Sequence, residues 1–151
     1  MLKRRGFTLM ELMCAATIMG VGMALAAPKL QTNVYRTNLR SAVAQMGSAV
    51  AATRMTAANR GCAATLHFTT GTAAKLWITS CKSTGAAGLD TVSTDRIAAR
   101  FNVSVAAATD SIRFMPNGLR SEWTTTAIRF THQNITLSDS IQVDALGRVM
   151  R

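Results

Sequence analysis

One carboxylate stands inside a long apolar run. Glu11 is the only charged residue between Phe7 and Ala27. An acid at the centre of a membrane helix costs about 2.5–3.5 kcal/mol, so such residues generally serve a function. Lys3, Arg4, Arg5 and Gly6 lead directly into the run. A cut after Gly6 would leave a positive amine on Phe7, four residues from Glu11, and another on any copy packed alongside. Either amine could pair with the carboxylate. Far along the chain, Asp144-Ala-Leu-Gly147-Arg148-Val-Met-Arg151 sets two guanidinium groups on a strand-like segment, and such groups contact phosphate. Being three residues apart, Arg148 and Arg151 should face opposite sides of a strand. Catalytic constellations are absent. His67 and His132 are isolated, and Asp90, Asp95, Asp110, Glu122, Asp139 and Asp144 are scattered. There is no phosphate loop, nucleophile elbow or metal-ligand spacing, so the residues point to no enzyme, no cofactor and no metal.

The elements that must position these groups follow from the pattern. Residues 7–27 are long and apolar enough to span a bilayer as a helix, and the three leading cations should hold the N-terminus on the cytoplasmic side. Pro28 should kink the helix. Helical periodicity resumes over 29–58, with Leu30, Val34, Leu39, Val43, Met46 and Val50 as the apolar stripe. Lys29, Arg36, Arg40 and Arg54 share another face, most simply a solvated one. Gly61 reads as the helix stop. Strands are expected at 63–69, 73–80, 97–105, 111–115, 126–131, 134–137, 140–143 and 148–150. Residues 82–95 read as a loop and Pro116-Asn117-Gly118 as a turn. A two-residue turn at Gly71-Thr72 would place Cys62 directly opposite Cys81, within disulfide reach. Cys14 lies in the apolar helix and should pack as a small hydrophobe. The expected fold is therefore α+β: a long N-terminal hydrophobic helix, then a small antiparallel β domain of two packed sheets over 59–151. The chain carries a net charge of +10, and loss of the three leading cations would leave +7, a surplus suited to a phosphate-rich partner.

The basic residues, the Gly6-Phe7-Thr8-Leu9 stretch and Glu11 together resemble a class III signal peptide, the mark of type IV pilins and type II secretion pseudopilins. The resemblance implies a leader of residues 1–6, removed by a prepilin peptidase between Gly6 and Phe7. It also implies N-methylation of Phe7 and pairing of Glu11 with the amine of an adjacent subunit. Phe114-Met-Pro-Asn-Gly118-Leu-Arg120, taken with the Gly147-Arg148 segment, resembles the FimT/GspH group of minor pseudopilins. FimT-like members end in Gly-Arg-x-Arg, a motif linked to DNA binding, where this chain has Gly-Arg-x-x-Arg. The resemblance thus implies a minor pilin that binds extracellular double-stranded DNA for natural transformation through Arg148, Arg151 and Gly147, with Arg120 a further candidate. The alternative is a structural GspH-like pseudopilin of a type II secretion system, or a pilus-assembly initiator, that binds no DNA. Either belongs in the inner membrane, single-pass with its domain in the periplasm, and afterwards in a filament among other pilin subunits.

Overall fold

The computed structural model describes residues 8–82 and 87–151, without the side chains of 25–28. The cleavage pair Gly6 and Phe7 therefore lies outside the described residues, as do residues 83–86 of the expected 82–95 loop. Two compact units, Met1–Tyr35 and Arg36–Arg151, divide the chain. Helix α1 runs Leu9–Arg60. Its start is set by Thr8, whose Oγ1 accepts the Glu11 backbone N–H at 3.2 Å. Thr8-Leu9-Met10-Glu11 is thus a Thr-x-x-Glu capping sequence, and Glu11 occupies the first turn, where a negative charge meets the positive end of the helix. In the first unit Leu9, Met10, Leu12, Met13, Ile18, Met19, Val21 and Met23 are all exposed, and Cys14 is exposed and free. Leu9–Ala24 and Lys29–Arg60 reach the length and composition of a membrane span only together; no single described helix does. Pro28, where a kink is expected, falls among the residues whose side chains are not described.

In the second unit the buried stripe of α1 is Leu39, Ala42, Val43, Met46, Val50, Thr53 and Ala57. Leu30 and Val34, expected in that stripe, are exposed. The helix ends where Gly61 takes φ +63°, a left-handed stop that costs glycine no steric strain. Eight strands follow among the described residues: β1 Ala64–Phe68, β2 Leu76–Cys81, β3 Leu89–Asp95, β4 Val103–Ala107, β5 Ser111–Phe114, β6 Thr126–His132, β7 Ser138–Val143 and β8 Val149–Met150. They form two antiparallel four-stranded sheets, ordered β3-β2-β1-β5 and β4-β6-β7-β8. Alternate residues of β1, β2, β5 and β6 point inward, and Phe68, Phe114 and Phe130 join the α1 stripe in one core cluster. Full burial of a large apolar side chain is worth about 1.5–3 kcal/mol, so these three rings anchor a core otherwise built mainly of isoleucine, valine, leucine and alanine.

Four expectations fail for identifiable reasons. The β1–β2 connection is not a two-residue turn. Thr69 and Lys75 close it, the Thr69 N–H donating to the Lys75 carbonyl at 3.0 Å, while Gly71 bridges Val105 of the other sheet. The longer loop moves the register to Ala64↔Ser80, so Cys62 and Cys81 are not directly opposed. They are nevertheless bonded, with Cα atoms 6.3 Å apart, and closing a loop of this size is worth about 3 kcal/mol on the chain-entropy account. Residues 97–101 form the short helix α2, Ile97–Phe101, not strand. Asn102 (φ 53°) then turns the chain into β4. Residues 89–95 are a strand with almost every side chain exposed, held by backbone pairing to β2 and so carrying no burial alternation. Residues 134–137 are a turn before a single β7.

Candidate functional site

The Pro116-Asn117-Gly118 turn and the β7–β8 turn frame one edge of the domain. At the first, the Gly118 N–H donates to the Met115 carbonyl at 2.9 Å, and the backbone N–H of Leu119 donates to Asn117 Oδ1 at 3.1 Å. The second is organised by Asp144. Its Oδ1 accepts the N–H groups of Leu146 (3.0 Å) and Arg148 (2.7 Å), and its Oδ2 accepts Arg148 Nε at 2.9 Å. Gly147 sits here at φ +76°, and a Cβ on it would lie 2.5 Å from Phe114 Cε1. Only glycine fits, so Gly147 has a packing role in addition to any contact it makes with a ligand.

The expected arginine site is rearranged by this geometry. Arg148 is ion-paired to Asp144. Arg151 is paired to Asp139 instead, through both Nη2 and Nε. The two arginines therefore hold different carboxylates, in keeping with their odd spacing. Arg120 is only 4% exposed. Its Nη1 donates to the carbonyls of Thr124, Val143 (3.0 Å) and Asp144 (3.4 Å), and its Nη2 to Thr126 Oγ1 at 2.8 Å. Burial pushes this guanidinium below its ordinary value, while the charges of Glu122 and Asp144 pull the other way. A buried fork engaged with four oxygens cannot reach a surface ligand, so Arg120 leaves the set of DNA-contact candidates. An arginine in a polar stretch reads as surface, which is why this role was missed.

A different cation takes its place. Exposed Arg40 of α1 and Arg151 line the same hollow of about 230 Å³, with Val43, Ala44, Gly47, Ile141 and Val149. Arg36 lies one turn before Arg40 and is also exposed. Arg54 is elsewhere, with Nε beside Gly118, and Lys29 belongs to the other unit. The helix cations and the last strand, which the sequence suggests as separate surfaces, thus share a border. Their shared signal would have been the acid-free run from Arg36 to Arg60. Among the described residues no cluster of His, Cys, Asp and Glu could hold a metal ion.

Two families match. The family described as "Type II transport protein GspH" matches residues 42–147, and "Prokaryotic N-terminal methylation motif" matches residues 1–27. Among solved structures, the fold is similar to two crystal forms of the type IV minor pilin FimU of Pseudomonas aeruginosa. One is 15% identical with a TM-score of 0.60, covering 76% of this chain and 88% of FimU. The other is 14% identical with a TM-score of 0.58, covering 74% and 90%. At these identities the likeness shows the fold alone. No curated protein matches significantly by sequence.

The Asp144 turn should respond to acid. Burial alone would push its carboxyl up, but the backbone and side-chain hydrogen bonds from Arg148, the Arg148 charge and the Leu146 N–H outweigh that and leave it below its ordinary 3.8. The folded chain therefore favours the ionised form. The contact is complete above pH 3.8 and is lost as pH falls through the lower, folded value. In a carbon-detected NMR titration, the Asp144 carboxyl and the Arg148 amide should share a midpoint below 3.8. Asp144→Asn should abolish that step, and a midpoint at or above the ordinary value would contradict the assignment.

Proposed function

The chain belongs to the GspH family, and from that premise we propose that it is a minor pilin of a type IV pilus that holds extracellular double-stranded DNA by its phosphates for uptake. Membership itself makes it a minor pilin or pseudopilin of a type IV pilus or a type II secretion system. The methylation motif implies processing by a prepilin peptidase, membrane anchoring and assembly with pilin-type subunits. In the finer reading, cleavage falls between Gly6 and Phe7 and the Phe7 amine is methylated. The chain crosses the inner membrane once with its domain in the periplasm. Glu11 then pairs with a neighbour's amine, a role compatible with its place in the first turn of α1.

The observation that carries the DNA reading is the convergence of Arg40 and Arg151 on one hollow, extended along α1 by Arg36. From Arg36 to Arg60 the helix has four arginines and no carboxylate. Phosphate contact needs cations at a regular, open surface and no base-reading helix, so binding should be indifferent to sequence. Asp139 and Asp144 partly neutralise Arg151 and Arg148, and this favours the second reading, a structural subunit without a nucleic-acid ligand.

Processing is checked by intact mass and N-terminal sequencing. The mature chain should begin at methylated Phe7, and Glu11→Val should be processed but enter filaments poorly. Retention of residues 1–6 in a pilus-competent host, or normal incorporation of the variant, would contradict the reading. For DNA, the purified protein should shift a duplex at about 50 mM salt, with log affinity falling about 0.9 per phosphate neutralised for each tenfold rise in salt. Arg40→Gln with Arg151→Gln should weaken binding about tenfold or more and flatten that slope. Arg148→Gln should do less, and Arg129→Gln on the outer sheet face should do nothing. Absence of a shift, or equal loss with Arg129→Gln, would leave the structural reading.

A further inference from the structure

We propose that the end of the domain at the β1–β2 loop is a self-complementary docking surface for a second copy of this chain, with Trp123 as its knob. The argument begins with charge. Among the described carboxylates of the domain, Asp90, Asp95, Asp139 and Asp144 are each ion-paired to an arginine. Asp110 and Glu122 form no ion pair, although the chain has 17 cations for 7 acids. Both are exposed, and both line one open hollow of about 520 Å³, with Thr70, Ala107 and Ser111.

Trp123 stands next to Glu122 and is 74% exposed. Its loop is not slack: Arg120 on one side donates to the Thr124 carbonyl and to Thr126 Oγ1 on the other. A loop tethered in this way loses less backbone entropy on docking, and tryptophan is among the residues enriched as interface anchors. The flanking acids speak against DNA, since they would repel phosphate. They suit a partner that surrounds an apolar socket with cations.

The same chain carries such a socket. A hollow of about 200 Å³ is floored by Ala73, Ala74 and Ala99 and rimmed by Lys75 and Arg96. Both rim cations are exposed, and neither is ion-paired among the described residues. Thr70 lines the acidic hollow and Ala73 to Lys75 the basic one, so the two adjoin a single loop. Neighbouring patches of opposite charge, one with a knob and one with a socket, meet the requirement of a two-fold contact, in which each patch meets the other on the partner copy. Trp123 would enter the alanine-floored socket, with Glu122 and Asp110 against Lys75 and Arg96 at a rim that keeps water out.

The test uses the full chain in its membrane, with Trp123→p-benzoylphenylalanine as a photo-crosslinking probe. Illumination should give an adduct of twice the chain mass, attached on the partner copy within 73–75 or 96–99. Glu122→Lys should lower its yield about tenfold, because like charges then face each other across the rim. Combining it with Lys75→Glu in the same chain should restore the yield. These positions are exposed, so an unchanged melting temperature should show that the variants fold. Absence of an adduct, an adduct to DNA or to another protein, attachment elsewhere on the chain, or indifference to Glu122→Lys would each overturn the proposal. Apart from an adduct to DNA, which would also move the DNA contact away from Arg40 and Arg151, none of these outcomes bears on that pair, so this surface and the DNA edge are tested separately.

Discussion

The buried guanidinium of Arg120 is the clasp on which the rest of the domain depends. Its backbone forms an antiparallel bridge with Phe114, at the end of the first sheet. Its side chain donates to Thr126, Val143 and Asp144, where β6 begins and β7 ends in the second. Thr126 and Val143 are themselves cross-strand partners, so the fork closes the open end of that ladder. A buried cation with no directly bonded carboxylate is costly unless its donors find oxygens, and here four oxygens are supplied. Two surface features rest on the clasp. One is the Asp144 turn that launches β8, and the other is the loop that presents Trp123.

Charge is the second organising constraint. The second half of α1 has no acid, and most of the domain's described carboxylates are paired to arginines of the same domain. Cations therefore remain exposed along α1, while unpaired acids are confined to one hollow beside the β1–β2 loop. The molecule thus has a basic edge along α1 and an end where exposed acids and cations adjoin one loop. Exposed ion pairs add little to stability, so Arg148–Asp144 and Arg151–Asp139 act mainly to fix where the last strand's cations point.

Much of this was legible in the residues. The N-terminal methylation motif matches by sequence, and the length of the helix, the Gly61 stop, the 116–118 turn and strands β1, β5 and β6 follow from patterns that burial enforces: an apolar run, a left-handed glycine, or alternation with one buried face. What could not be read depends on distant partners. The hairpin register is set by Gly71 bonding to Val105 on another sheet, so a local turn rule misplaced it by one residue while the disulfide still formed. Strand β3 is exposed and exists only because β2 offers it a ladder. The burial of Arg120 has no local signature at all, and the convergence of Arg40 with Arg151 joins residues 111 positions apart.

The clasp is tested most directly by native-state hydrogen exchange on Arg120→Lys. Lysine keeps the charge but cannot offer a planar fork to four oxygens. Amides of 124–126 and of 143–150 should lose protection together, by about 2 kcal/mol, while the β1–β2 ladder keeps its own. Unchanged protection at both segments, or a uniform loss across the two sheets, would contradict the account.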